Sequence, residues 1–251
     1  GNGGAISPDF CVPSALPGIL KRVPRWFADP LGPLVVRWSD LPRSLPWLLR
    51  WMKAGRMENV TRISDALRAL HKETLSCWRE LLGDAHYADL IRPVGQVRVW
   101  EGESKGARQF ERDLCQRHGI PVQELDNRDL REIYPEISPD VTEGLLLPGN
   151  AYTLSPPRLV RTLGKLLVEA GGSIVAQRVG KIVPQGGAGF LLMTNEESRD
   201  AQRVVVAAGA WSMRLLEPLG LRLPLETERG YHAMMPSPNI ELKRPLSVKN
   251  R

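Results

Sequence analysis

Cysteine and histidine are scarce in this chain of 251 residues, which has three cysteines and four histidines. Cys11, Cys77 and Cys115 are odd in number and form no CxxC pair. They argue against a disulfide framework and a cysteine zinc site, and they favour a reducing compartment. The histidines are scattered, without HExxH or paired spacing, so we expect no metal site.

Long apolar runs are also missing, since none reaches the roughly 20 residues of a transmembrane helix. The chain opens with GNGGAISPDF, which has neither the basic nor the apolar segment of a signal peptide, and it begins without Met. We therefore expect a cytoplasmic protein whose natural start lies elsewhere. No RNP-type motif or zinc-finger spacing accompanies the net charge of +6, so we expect a solvated basic surface and no nucleic-acid partner.

Proline and tryptophan are concentrated in residues 11–57, together with an excess of Lys and Arg over Asp. The prolines exclude one long helix, and we expect a short helix over residues 46–54. A basic, Trp-rich surface is typical of a membrane interface. Tryptophans also cover cores and pockets, and the sequence favours this second interpretation while leaving the first open.

Apolar periodicity predicts the remaining elements. We expect helices over residues 58–82, ending at Gly83, and over 104–118, a short helix capped by Asp126 or Asn127, a helix capped by Ser155, and a helix over 211–217. We expect strands over 93–102, 141–151, 173–179, 203–208 and 228–236, and a hairpin over 180–195. This order predicts a mixed α/β fold with a parallel core.

The stretch RVVVAAGAWS, residues 203–212, runs three valines into two alanines and Gly209. A continuous apolar run that ends at glycine is typical of a strand buried on both faces of a parallel sheet. Ligands of open α/β sheets bind beyond the carboxyl ends of the strands, where Gly209 would let a ligand approach the backbone. The N–H groups of a following helix favour an anion such as pyrophosphate. The residues alone leave a dinucleotide and tight strand–helix packing equally open.

Five segments resemble, in order, motifs of the FAD-dependent D-amino-acid oxidase and dehydrogenase superfamily. GNGGAISP is similar to the loop near the flavin, and LDNRDLREIYPEI to the segment before the substrate-domain strands. The family's helix and adenine-side strand are similar to TLSPPRLVRTLGKLLVEAGGSIVAQRV. Its second flavin-contacting motif resembles RVVVAAGAWS, and the strand that enters its substrate-domain sheet resembles ETERGYHAMM. The resemblance covers essentially the whole chain and is closest to the bacterial D-amino-acid dehydrogenase branch of small-subunit type.

This resemblance implies an α/β fold in which an incomplete Rossmann-like parallel sheet binds FAD. A second domain, for the substrate, would be built on a mixed or antiparallel sheet. Residues 1–10 would form the flavin-side loop, 11–150 the substrate domain with its Pro/Trp-rich cap, 151–225 the second part of the FAD-binding domain, and 226–251 the start of a return to the substrate domain.

The resemblance also assigns positions near the cofactor and the substrate. The expected FAD-contacting residues are Asn2, Gly3, Gly4, Ala5, Val179, Ala208, Gly209 and Trp211. The expected substrate-side residues are Tyr231 and His232. Ordinary structural roles stay open for several of these residues. Asn2, Gly3, Gly4 and Ala5 can simply form a chain terminus, Val179 and Trp211 can belong to the core, and His232 can make a hydrogen bond within a strand. No catalytic side chain is assigned, because the cofactor carries the chemistry.

The implied activity is oxidation of a D-amino acid or related amine by hydride transfer to FAD. The imino acid product would hydrolyse to a 2-oxo acid and ammonia. The partner would be a small-molecule amino-acid substrate. Peripheral contact with the inner membrane and contact with a quinone or electron-transfer chain both stay open, because the sequence does not say whether oxygen or a quinone reoxidises the flavin. A glycine- or sarcosine-type oxidase and a non-catalytic interaction or membrane-associating domain are the alternatives. The family's GxGxxG turn and carboxylate-binding Arg have no counterpart here, so we expect an internal fragment that holds FAD weakly or not at all.

Overall fold

The computed structural model describes residues 4–18, 38–100, 105–187, 189–225, 230–231, 233, 235–237, 239–240 and 242–249. The chain divides into two compact units. The larger unit contains residues 2–163 and 236–251, and the smaller unit contains residue 1 and residues 164–235. Each unit has its own sheet structure.

The helices lie mostly in the larger unit. In chain order they are α1 (Leu41–Ala54), α2 (Met57–His71), α3 (Thr74–Leu90), α4 (Lys105–Arg117), α5 (Asn127–Ile133), α6 (Pro156–Glu169) and α7 (Ser212–Leu216). Short 3-10 segments span Trp38–Asp40, Gly209–Trp211 and Glu217–Leu219.

The strands form three small sheets. They are β1 (Ala5–Ile6), β2 (Ile91–Arg92), β3 (Gln96–Trp100), β4 (Gln123–Leu125), β5 (Gly144–Leu147), β6 (Ala151–Thr153), β7 (Val179–Pro184), β8 (Phe190–Thr194), β9 (Ser198–Ala201) and β10 (Leu246–Lys249). The larger unit contains the sheets β1-β6-β2 and β10-β3-β5-β4, and the smaller unit contains β7-β8-β9.

The mixed sheet β10-β3-β5-β4 organises the core of the larger unit. Its central strand β5 is buried along its whole length, because apolar side chains cover both faces. On one face, Leu145 and Leu147 pack with Val60, Leu114 and Ile120, which come from α2 and from α4 and its end. The opposite face carries a second cluster formed by Val97, Val99, Leu125, Leu130, Tyr134, Val141 and Leu146.

Several elements of the larger unit confirm the periodicity and capping patterns. Strand β3 and helix α4 lie within the predicted ranges. Asp126 caps α5 in a capping box, in which its side chain accepts from the backbone N–H of Asp129 and the Asp129 side chain accepts in return. Strand β5 and helix α6 also form where they were predicted.

Two predicted helices have different bounds. The helix expected over 46–54 begins at Leu41 and continues through Pro46, which gives up only its own backbone hydrogen bond. The helix expected over 58–82 is two helices, α2 and α3, and the Thr74 hydroxyl donates to the carbonyl of His71 at the break, 2.6 Å away. Gly83 interrupts the helical backbone with φ 71° and ψ 161°, and the helix resumes and continues to Leu90.

The smaller unit corrects the prediction of a parallel core. Its sheet β7-β8-β9 is an antiparallel meander whose first two strands form the predicted hairpin. Residues 173–178 and 203–208 belong to no described strand, and Val205 is 91% exposed. An apolar run becomes a buried strand only when neighbours supply hydrogen bonds and cover both faces, and the described residues supply neither here. The described parallel pairing, β10 with β3, lies in the larger unit.

The strand expected over 228–236 is not found in the described part of that segment. Residues 230, 231, 233, 235 and 236 have no strand geometry, and Glu228, Arg229, His232 and Met234 lie outside the described residues. The fold is therefore a mixed α/β arrangement of several small sheets, without a Rossmann-like parallel sheet in the described ranges.

Candidate functional site

The segment after residue 3 is held in place by strand pairing. Ala5 and Ile6 in β1 pair antiparallel with Tyr152 and Ala151 in β6. The carbonyl of Gly4 accepts a hydrogen bond from the Thr153 backbone N–H at 2.8 Å. Gly4 has φ +77°, and a Cβ there would lie 3.0 Å from the Thr153 carbonyl oxygen. Backbone geometry and protein packing therefore both require glycine at position 4.

Side-chain hydrogen bonds fix the loop that follows β1. The backbone N–H of Asp9 donates to Oδ1 of Asn150 at 3.2 Å, and Nδ2 of Asn150 donates to Oε1 of Gln96 at 3.1 Å. Arg68 of α2 donates from Nη1 to the carbonyl oxygen of Pro8 at 2.8 Å, and the same atom lies 3.5 Å from Oδ1 of Asp9. The position of this loop is thus set by α2 and by the turn between β5 and β6.

Asp9 is a buried carboxylate with an unusual environment. Burial raises the pKa of its carboxyl group, against the opposing effects of Arg68, the Gly149 backbone N–H and Arg98. Oδ2 of Asp9 has no hydrogen-bond partner among the described residues. A Cβ at Gly149 would overlap this oxygen, so the close approach of the turn requires glycine.

A second buried charged group lies inside the core beside the mixed sheet. Arg98 of β3 and Glu111 of α4 form an ion pair in which both side chains are almost fully buried. Burial lowers the pKa of Lys249, while Glu111 opposes this shift and Arg98 reinforces it. The sequence analysis did not identify the Arg98–Glu111 pair, although an arginine between the buried valines of β3 is a visible signal.

In the smaller unit, the candidate cofactor residues lie at the start of short elements. Val179 is the first residue of β7 and pairs with Thr194. Ala208 precedes the 3-10 turn Gly209–Trp211, and Trp211 is exposed. Gly209 has φ +56°, and no described atom lies within 4 Å of the position that its Cβ would take. This backbone favours glycine and leaves open space beside it.

The surroundings of Gly209 fit a bound group that approaches the main chain. Val205, at 91% exposed, and Ala207 point away from the described chain, whereas Val204, Val206 and Ala208 are partly buried. The tight strand–helix packing considered for Gly209 would place protein atoms near its Cβ position, and the described residues place none there. The helix that follows, α7, has only 5 residues, so the expected anion site at its N-terminus stays a prediction.

The other candidate residues are distributed as follows. Gly4 and Ala5 belong to the larger unit, and Val179, Ala208, Gly209, Trp211 and Tyr231 to the smaller one. Tyr231 is 89% exposed. Asn2, Gly3 and His232 lie outside the described residues. Within the described ranges, no three His, Cys, Asp or Glu side chains cluster as metal ligands, and none of the helices is long and apolar enough to cross a bilayer.

Comparison with known families assigns the chain. The profile of the DAO family, described as FAD dependent oxidoreductase, matches residues 2–250. This chain belongs to the DAO family. FAD is accordingly its cofactor, and the open, glycine-containing segment at Gly209 is compatible with such a group.

One curated relative in the DAO family is the D-amino-acid oxidase of Bradyrhizobium diazoefficiens. The two sequences are 32% identical over 239 residues, which are 95% of this chain and 57% of that protein. The chain therefore spans a little over half the length of this curated relative.

Two solved oxidase structures have a fold similar to that of more than half of this chain. Glycine oxidase from Geobacillus kaustophilus has a TM-score of 0.56 and 23% identity, covering 62% of this chain and 44% of that one, a likeness of fold. The open form of NikD, an unusual amino acid oxidase essential for nikkomycin biosynthesis, has a TM-score of 0.53 and 26% identity, covering 63% and 41%.

Proposed function

We propose that the protein is an amino-acid oxidoreductase that removes the α-hydrogen of a D-amino acid, with FAD as the hydride acceptor. The observation that carries this proposal is the 32% identity to a D-amino-acid oxidase across 95% of the chain. The similarity to NikD, also described as an amino acid oxidase, supports the same substrate class.

Bound FAD supplies the acceptor for the hydride, so the side chains of the protein need only bind, orient and shield the substrate. The main chain at Ala208 and Gly209, with Trp211 beside it, would flank the cofactor. Val179 would present a further main-chain contact in the same unit. In the larger unit, taken by itself, the main chain of Gly4 and Ala5, fixed by β6, is the candidate contact. The imino acid product then hydrolyses to a 2-oxo acid and ammonia.

Asp9, Arg68 and Asn150 are positioning residues in this proposal. They hold the loop directly after Gly4 and Ala5 against α2 and the β5–β6 turn. A rigid loop keeps its main chain in the geometry that the bound cofactor needs, so loosening the loop weakens binding without removing a reacting group.

Within the family, we favour the dehydrogenase type, which passes electrons to a quinone or electron-transfer chain. The motifs quoted above resemble the small-subunit dehydrogenase branch, and this resemblance supports that choice. A glycine- or sarcosine-type oxidase of the same fold is the alternative, in which oxygen would reoxidise the flavin.

The test is a substrate and acceptor panel on the purified protein reconstituted with FAD. D-alanine, L-alanine, glycine and sarcosine are each supplied with oxygen or with a soluble quinone, and ammonia and the oxo-acid product are measured. At saturating FAD, which offsets the weak binding expected from the sequence, we expect product from D-alanine with the quinone. Product only from glycine or sarcosine with oxygen would support the alternative, and bound flavin without product from any amine would contradict the proposal.

A second function, association with a membrane surface, is favoured by one feature of α1. Its Trp47 ring stacks on that of Trp51 with centroids 6.0 Å apart, and Trp47 and Leu49 are both exposed. The exposed basic residues Arg50 and Lys53 follow on the same helix. Exposed Trp and Leu beside basic side chains are typical of a helix that lies on anionic lipid.

A further inference from the structure

Two cysteines meet in the core of the larger unit. Sγ of Cys11 lies 3.9 Å from Sγ of Cys115, and the two residues are 104 positions apart in the sequence. Both residues are fully buried, and neither is in a disulfide. Cys11 lies in the irregular segment after β1, and Cys115 lies in the last turn of α4. The contact thus joins the loop described above to a helix.

The pKa values of the two thiols are affected first by the hydrogen bond that they share, and then by burial and nearby charges. A hydrogen bond from Cys115 lowers the pKa of the Cys11 thiol, and the charges of Arg98 and Arg68 act in the same direction against burial and Glu111. The hydrogen bond to Cys11 and burial raise the pKa of the Cys115 thiol. Arg68 and Arg98 both favour the thiolate of Cys11, whereas only Arg98 of these two favours that of Cys115, so we take Cys11 as the thiol that reacts, and the thiolate is the reactive form of cysteine.

We propose that Cys11 and Cys115 form a peroxide-sensitive thiol pair that closes reversibly to an intramolecular disulfide. The sulfur atoms must approach from 3.9 Å to about 2.0 Å for the bond. Cys11 lies beyond the anchored Pro8 and Asp9 in a segment without helix or strand, so a shift of its own backbone and side chain brings the sulfurs together while the anchored residues and α4 stay in place.

The oxidant in this proposal is hydrogen peroxide. The Cys11 thiolate attacks one peroxide oxygen, an S–O bond forms, the O–O bond breaks, and hydroxide leaves to become water with the proton that Cys11 released. Cys11 is thereby oxidised to a sulfenic acid, and the peroxide is reduced. The Cys115 sulfur then attacks the Cys11 sulfur, the S–S bond forms, the S–O bond breaks, and hydroxide leaves as water with the Cys115 proton. One peroxide is consumed for one disulfide and two waters.

Cys77 provides an internal reference for this reaction. It lies exposed on α3, where a reagent reaches it without opening of the core. In the unfolded chain, any two of the three cysteines can pair. A preference for Cys11 with Cys115 therefore requires the folded contact.

The test treats the whole chain with hydrogen peroxide, folded and in urea, and maps disulfides by mass spectrometry without reduction. For the folded chain, and for its Cys77→Ser variant, we expect one linked peptide joining Cys11 and Cys115. It should lack two hydrogen atoms and revert with dithiothreitol. Urea-unfolded chains should give mixed pairs. Recovery of Cys11 and Cys115 as free thiols, or as sulfinic acids, in the folded Cys77→Ser variant would overturn the proposal.

A second variant separates the two steps. In Cys77→Ser with Cys115→Ser, Cys11 keeps its place but loses the thiol that resolves it. We expect the reaction to stop at the sulfenic acid, which dimedone traps at Cys11. The single Cys77→Ser variant should give little dimedone adduct. Equal adduct in both variants would show that Cys115 does not resolve Cys11, and the proposal would then be wrong.

Discussion

The hydroxyl of Ser64 lies 2.8 Å from Nε2 of His118, and this contact joins α2 to the end of α4. The neighbouring residues make a parallel contact, in which Arg117 binds Asp65 with Nη2 and Oδ2 3.1 Å apart. Ser64 is fully buried, and the side chain of His118 is only 10% exposed. A neutral imidazole can bond with the hydroxyl in this site, whereas a charged one must be desolvated.

This contact predicts a loss of stability in mild acid. Burial lowers the pKa of His118 from its ordinary 6.5, reinforced by Arg117 and Arg68 and opposed by Asp65. The unfolded chain therefore binds the proton more tightly than the folded chain. The free energy of unfolding should be greatest above pH 6.5 and should fall as the pH drops below 6.5 toward the lower, folded pKa.

The measurement is urea unfolding across this pH range for the wild type and two variants. His118→Gln keeps a polar partner for Ser64 and should lose most of the decline. His86→Gln, at an exposed position of α3, should retain it. A decline of equal size in His118→Gln would assign the effect to another group.

The buried ion pair of Arg98 and Glu111 predicts a large cost for removing one partner. Glu111→Ala should lower the free energy of unfolding by about 3–5 kcal/mol, because it leaves a buried charge uncompensated. The double variant Arg98→Met with Glu111→Leu should recover most of that loss. Glu197→Ala, which breaks the exposed pair with Arg199, should cost less than about 1 kcal/mol. Urea unfolding measures the free energy of unfolding of all three variants. If Glu111→Ala is as stable as the double variant, the prediction is wrong.

Gly209 and Gly220 separate cofactor binding from backbone strain. Both have positive φ, +56° and +80°, and neither has a described atom within 4 Å of its Cβ position. Alanine at either position should cost about 1 kcal/mol of apo stability through backbone strain. If Gly209 contacts FAD, Gly209→Ala should also weaken FAD binding, whereas Gly220→Ala should not.

FAD fluorescence titration and apo melting temperatures check this prediction in the protein reconstituted with FAD. If both variants bind FAD with the same affinity and show the same loss of melting temperature, Gly209 does not belong to the proposed site. The family assignment would stand in that case, because it rests on the match over residues 2–250.

The exposed face of α1 predicts binding to anionic vesicles. Trp47→Ala should reduce sedimentation with phosphatidylglycerol vesicles several-fold, because it removes apolar surface that would enter the interface. Leu70→Ala on α2 removes a side chain that is more exposed, at 79%, and should have no effect. Binding should weaken as salt rises, since basic side chains contribute. Absence of wild-type binding at low salt would reject the idea.

Local signals in the sequence determined many elements of the fold correctly. The capping residue Asp126 placed α5, and apolar periodicity placed β3, α4 and α6. The glycines between two apolar runs placed the β7–β8 hairpin. These elements depend on residues close together in the chain, so their signals are visible without the tertiary structure.

The proposed site residues stay predictions, and the structure bears only on their local backbone. Gly209 stood out because small residues follow an apolar run, and its positive φ agrees with the need for glycine. The anchors of the loop after β1 were missed. Asp9 meets Asn150 across 141 positions and Arg68 across 59, and nothing near Asp9 in the sequence marks those partners.

The sequence by itself determined the family resemblance, the helix caps and the apolar stripes, because each is carried by contiguous residues. Tertiary structure decided which apolar runs became buried strands. GLLL in β5 is covered on both faces, whereas the valines of residues 204–206 form no strand and the middle one, Val205, is 91% exposed. Tertiary structure also brought Cys11 to Cys115. Burial and pairing are properties of neighbours distant in the chain, and an apolar run is the same sequence whether or not those neighbours cover it.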